Sequence, residues 1–150
     1  MSLERYLTNR IDVDVNTKDY GGKTALAWAA RQPRAAMLQR LLMQRDIDVN
    51  KADIEGWTPL HHAVMSGNAK AVDFLLSSRD ILSSPRDNKG RTPEALIKES
   101  HRIDQRSRAL LQLLFSPSST PHARRVAIRR HNSAKSRRHF QQLYEYRNQQ

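Results

Sequence analysis

Residues 53–76 read DIEGWTPLHHAVMSGNAKAVDFLL, and their order predicts a local structure. Gly56 stands two residues before Thr58, and Pro59 follows. Glycine supplies a positive backbone dihedral at a tight turn, threonine caps a helix N-terminus through its hydroxyl, and proline suits the first helical position, where a missing amide costs nothing. Further on, Val72, Leu75 and Leu76 lie at the spacing of one buried helical stripe. Gly67 and Asn68 fall between the two regions, a pair able to take the left-handed conformation at a helix end. The stretch therefore predicts turn, short helix, loop and second helix.

The same arrangement occurs on both sides. DYGGKTALAWAA from Asp19 and DNKGRTPEALIK from Asp87 align with DIEGWTPLHHAV from Asp53 at a period of 34 residues. Asp19, Asp53 and Asp87 form one column, Gly22, Gly56 and Gly90 a second, and Thr24, Thr58 and Thr92 a third. Each unit is too small to bury an apolar face alone, so stacked neighbours must supply the core. Small residues in the first helices, Ala29 and Ala30 or Ala63 and Val64, permit close approach. Leu38, Leu41 and Leu42 repeat in the first unit the stripe of the second.

The second unit, with Thr58, Pro59, Leu60 and His61 in sequence, resembles an ankyrin repeat. The resemblance implies an all-α, short ankyrin-repeat solenoid of helix-turn-helix units, with hairpin turns along one edge and a protein-binding surface. It also implies that His61 is structural and bonded to neighbouring turn backbone. The family period is about 33 residues, and the extra residue here falls in the loops after the second helices. The first unit has Ala25 and Ala27 in place of Pro and His, and Pro33 in place of the interhelix glycine. The third has Glu94 and Ala95 at the Leu and His positions. Residues 3–16 resemble the second half of a unit, with Leu3, Tyr6 and Leu7 as a candidate N-terminal cap. The resulting division is a partial repeat at 1–18, repeats at 19–52, 53–86 and 87–115, and a tail at 116–150. In the third unit, Ile103, Leu110, Leu111 and Leu114 form the apolar side of a terminal cap.

Charge separates the tail from the rest. The chain has 150 residues and a formal charge of +11, and residues 116–150 hold eight Arg and Lys against one acid, Glu145. SPSSTP at 116–121 reads as a linker that breaks the last repeat helix. Beyond it the chain is expected to be a disordered extension, or a helix begun at Pro121 under a Thr120 cap, with Phe140, Leu143 and Tyr144 as an apolar patch at helical spacing and Phe140, Tyr144 and Tyr146 available to dock it. Arg124, Arg125, Arg129, Arg130, Lys135, Arg137 and Arg138 are candidate polyanion contacts or an import signal. No zinc, RNP or helix-turn-helix pattern supports specific nucleic-acid recognition.

Catalytic and metal chemistry find no footing. There is no cysteine, and His61 and His62 are adjacent, so on a helix they point apart and cannot chelate one ion as an i, i+4 pair would. No phosphate-binding glycine loop or nucleophile elbow occurs. Neither cofactor nor enzymatic activity is expected. The first residues lack a signal-peptide pattern, and no run approaches about 20 apolar residues. An intracellular monomer, cytoplasmic or nuclear, and without a membrane segment is the expectation.

Carried over by column, the resemblance implies that a protein partner meets the turns and the ends of the first helices. These are Tyr20, Gly21, Lys23, Arg31 and Gln32 in the first unit, Ile54, Glu55, Trp57, Met65 and Ser66 in the second, and Asn88, Lys89, Arg91, Glu99 and Ser100 in the third. Trp57 is the leading hot-spot candidate, and the opposing reading packs it across Lys23 and Arg91. Trp28 is expected on the concave side in register with His62 and Leu96. The leading function is a non-catalytic scaffold for protein–protein interaction. The competing one is a nuclear or nucleic-acid adaptor whose basic tail, 121–147, does the binding.

Overall fold

The computed structural model describes residues 14–148, with side chains through Ala134. The candidate cap of Leu3, Tyr6 and Leu7 lies outside the described residues. So do the side chains of Lys135, Arg137, Arg138, Phe140, Leu143, Tyr144 and Tyr146. Seven helices follow in order among the described residues: α1 Ala25–Arg31, α2 Ala36–Leu42, α3 Pro59–Met65, α4 Ala69–Leu76, α5 Pro93–Glu99, α6 Gln105–Phe115 and α7 Pro121–Asn148. No strand occurs among those residues, only one antiparallel bridge between Lys18 and Thr24.

The predicted start of each unit is realised. Thr24, Thr58 and Thr92 all take the extended conformation of an N-cap. The hydroxyl of Thr24 accepts from the Ala27 amide at 3.3 Å, and that of Thr92 from the Ala95 amide at 3.2 Å. At Thr58 the exchange runs through His61, whose Nδ1 accepts from the Thr58 amide at 3.1 Å. The first helices have only about two turns each and would be marginal alone. Packing between units holds them.

That packing forms two layers. The first helices α1, α3 and α5 lie side by side, and each carries its second helix, α2, α4 or α6, behind it. Leu26, Leu60, Ala63, Val64, Leu96 and Ile97 are buried between and beneath the first helices, and Leu38, Val72, Leu75, Leu110 and Leu111 are contributed by the second helices. Glu94 is exposed although Leu60, its counterpart in the column, is fully buried. Among the described residues no further first helix covers α5, so a carboxylate is tolerated there. All four expected apolar positions of the third unit, Ile103, Leu110, Leu111 and Leu114, are buried.

The second-helix layer is uneven. α4 and α6 lie together, whereas α2 leans on α1 and leaves a step beside α4. The loops explain this difference. In the second unit Gly67 takes φ +66° and Asn68 caps α4 through the Ala71 amide at 3.2 Å. Proline at 33 cannot adopt positive φ and forces the preceding residue toward extended backbone, and Gln32 is extended at φ −77°, ψ 140°. Helix α2 then follows Ala35, an N-cap that makes no side-chain hydrogen bond.

Of the two readings of the tail, the helix begun at Pro121 is the one seen. Residues 121–148 form one helix, which starts at Pro121 with the Thr120 hydroxyl accepting from the Ala123 amide at 3.2 Å. It packs on α4 and α6 and so covers the back of the solenoid. Ile128 is its anchor, 6 % exposed within the core cluster, and Ala127 packs beside it. The third unit is consequently no bare cap, since its second helix lies under α7. No helix of the described residues is long and apolar enough to cross a membrane.

Candidate functional site

Every hairpin turn is organised by its aspartate. One carboxylate oxygen, Oδ1, accepts from two backbone amides: those of Gly21 and Lys23 for Asp19, Glu55 and Trp57 for Asp53, and Lys89 and Arg91 for Asp87, all at 2.8–2.9 Å. The amides of Asp19, Asp53 and Asp87 donate to the carbonyls of Lys23, Trp57 and Arg91 at 2.9–3.0 Å, closing each hairpin. A short acid in a turn holds its own backbone this way.

The second oxygen, Oδ2, holds a side chain. Asp19 accepts the Trp28 indole N–H at 2.8 Å, and Asp53 meets Nε2 of His62 at 2.8 Å. Trp28 and His62 occupy the same column, so an indole and an imidazole perform one task. Leu96, next in that column, cannot donate. Asp87 instead takes the Arg91 guanidinium at 2.8 and 3.0 Å and the Trp57 indole N–H at 3.2 Å from the preceding unit.

Adjacent hairpins are also joined directly. The Ile54 amide donates to the Gly21 carbonyl at 3.3 Å, the Asn88 amide to the Glu55 carbonyl at 3.1 Å, and the Asn88 side chain to the Ile54 carbonyl at 2.8 Å. His61, as the resemblance implies, reaches the next turn, with Nε2 3.1 Å from the Arg91 carbonyl. The Thr58 amide on Nδ1 assigns the ring proton to Nε2, which therefore donates to that carbonyl. Burial lowers the pKa of His61, and the Arg91 carbonyl only partly opposes it. For His62 burial again lowers the value and Asp53 opposes. In Asp87 burial pushes the carboxyl up, but the Arg91 amide and guanidinium and the Lys89 amide outweigh it, leaving it below the ordinary value.

This bonding divides the expected contact residues. Tyr20 is fully exposed, Ile54 is 69 % exposed and Trp28 46 % exposed. Arg31, Gln32, Glu55, Asn88, Lys89 and Glu99 are exposed as well, and Lys23 and Met65 are half-buried. Several positions are corrected, among them Ser100, which is only 8 % exposed. His62 is 4 % exposed and engaged by Asp53, and Leu96 is 2 % exposed, so neither lies open beside Trp28. Trp57 is half-buried, set 5.3 Å from the His62 ring and 6.2 Å from that of His61, with its N–H committed to Asp87. It braces two units, closer to the packed reading than to the exposed hot spot, and through Asp87. The cation–π contact seen on this face is Arg31 over Trp28, at 5.4 Å. Arg91 is tied to Asp87 and faces Glu99 at 3.7 Å.

Lys23, Arg31, Glu55, Trp57 and Met65 nevertheless meet around one open cavity of about 250 Å³. Arg102 completes its wall and was not expected. It follows the first helix of the third unit by three residues, outside the columns that the family pattern marks. A second omission is the asparagine column. Asn16 bonds the loop of the next unit through the Asp46 carbonyl (2.6 Å) and the Asp48 amide (2.7 Å), and Asn50 repeats this at Asp80 and Leu82 (2.7 and 2.9 Å). The 34-residue separation of these asparagines was the available signal.

On α7, Arg125, Arg129 and Arg130 are exposed, but Arg124 is half-buried and its Nε donates to the Ser119 carbonyl at 3.1 Å. Arg124 is therefore removed from the set of free phosphate contacts. Among the described residues no three His, Asp or Glu side chains converge as metal ligands would.

No curated protein matches the chain. The family model described as ankyrin repeats in three copies matches residues 2–85 and 36–104, the span that carries the columns, hairpins and paired helices above. Repeats of this kind are generally protein–protein interaction modules and typically non-catalytic. The chain belongs to the ankyrin-repeat family.

Proposed function

We propose that the chain binds a partner protein through its hairpin tips and the concave face of its first helices. The supporting observation is the contrast between a fixed backbone and free side chains. The hairpins are held by the aspartates and by one another, yet Tyr20 and Ile54 project from consecutive tips in the same column, with Trp28 half-exposed beside them. Large side chains on a backbone that is already ordered bind with little further entropic cost. The cavity walled by Lys23, Arg31, Glu55, Trp57, Met65 and Arg102 adds mixed polar contacts drawn from all three units.

The test is quantitative capture from a cell extract by wild type and by the double variant Tyr20→Ala/Ile54→Ala, with melting temperatures measured in parallel. Loss of specifically captured proteins at unchanged melting temperature is the expected result. An unchanged captured set would place the interface elsewhere.

A further inference from the structure

The step left between α2 and α4 is closed on its far side by α7, and together the three helices bound a groove of about 780 Å³ on the back of the solenoid. This groove is remote from the hairpin tips and owes its existence to the tail helix. Its apolar wall includes Ala36 of α2, Phe74 of α4 and Val126 of α7. Lys70, Arg125 and Arg129 line it too. All three are exposed, and none makes an ion pair among the described residues. Asp73 lies in the same wall, 6 % exposed, with its Oδ1 buried and without a hydrogen-bond partner.

We infer that this groove is a second binding site, which takes an acidic, amphipathic helical segment of another protein. Charge complementarity selects the acidic side. Arg125 and Arg129 are four residues apart on one helix, about 6 Å along its axis, which matches carboxylates at i, i+4 on a helix laid alongside. The apolar wall selects an amphipathic helix over a polyanion, because a phosphate gains nothing from Phe74 or Val126. Burial holds the Asp73 carboxyl above its ordinary value, with Arg124 and Arg125 opposing.

The experiment uses the full chain, immobilised, and a displayed library of random helical peptides of about twelve residues, long enough for some three turns. Enriched sequences are synthesised with a fluorophore and titrated against wild type, Lys70→Glu/Arg129→Glu, Ala36→Trp and Tyr20→Ala/Ile54→Ala. Lys70, Arg129 and Ala36 are exposed, and circular dichroism checks each fold. Ala36→Trp fills the groove without altering its charge.

The expected peptides carry Asp or Glu at i, i+4 opposite an apolar stripe. They should weaken about tenfold or more in both groove variants, as loss of charge-assisted contacts or of the apolar seat implies, while keeping their affinity for the hairpin variant. Peptides without acidic bias, or ones weakened only by the hairpin variant, would overturn the inference; the latter would at the same time support the concave-face reading. A duplex oligonucleotide that binds through Lys70 and Arg129 while no peptide does would also overturn it.

Discussion

Asp53 illustrates how much a single side chain organises at the smallest scale. It holds two amides of its own turn with one oxygen and His62 with the other, while the His61 ring beside it grips the following turn. Replacing His61 with Ala removes one of the two donors to the Arg91 carbonyl, leaves the Thr58 amide without its acceptor and opens a cavity, and should cost about 2–4 kcal/mol in a urea titration. Trp57→Phe keeps the ring and loses the bond to Asp87, so about 1 kcal/mol is expected by the same measurement. The histidines also set a pH dependence. Their folded pKa values lie below the ordinary 6.5, so the unfolded chain binds protons first as pH falls. Stability is then complete above about pH 6.5 and declines as pH drops toward the folded values. Asp73, raised by burial, acts in the opposite sense, so the histidine share is read from melting curves of wild type against His61→Gln: the variant should show the shallower decline between about pH 6.5 and 4.5.

At the scale of elements, equivalent glycines have unequal neighbours. Gly56 and Gly90 both adopt positive φ, +78° and +75°. A Cβ at Gly56 would sit 2.7 Å from the Asn88 amide nitrogen, whereas one at Gly90 would meet nothing within 4 Å. Gly90→Ala should therefore cost about 1–2 kcal/mol, the conformational strain alone, and Gly56→Ala more, because the next hairpin must shift. Equal losses in chemical denaturation would contradict the stacking. Helix α7 depends on Ile128. Ile128→Ala should release this helix from α4 and α6 and raise its amide exchange, while the amides of α1 and α3 stay protected.

For the molecule as a whole, α7 turns a short array into one with a covered back. A chain ending at Phe115 exposes the faces of α4 and α6 on which α7 packs. It should melt below the full chain, and α4 and α6 should lose amide protection first. An unchanged melting temperature would mean that α7 adds nothing to the fold. The same truncation deletes one wall of the rear groove but leaves the hairpins intact, so the two binding surfaces can be separated in one protein.

The period of 34, the glycine turns, the threonine caps and the paired helices were legible in the chain because each rests on local backbone chemistry repeated three times. The exposure of Tyr20 and Ile54 followed from the same columns. Three matters were decided only by tertiary structure. Whether Trp57 faces solvent or braces the stack depended on the distance to Asp87, thirty residues away. His62 and Trp28 share a column, yet one is buried and the other half-exposed, because neighbouring units cover them differently. The tail helix could be read from Thr120 and Pro121, but the place of its docking on α4 and α6 could not, since Val126, Ala127 and Ile128 are consecutive and form no periodic stripe. Sequence periodicity reports what each unit does to itself; where the units and the tail meet is set by shape, which no single unit contains.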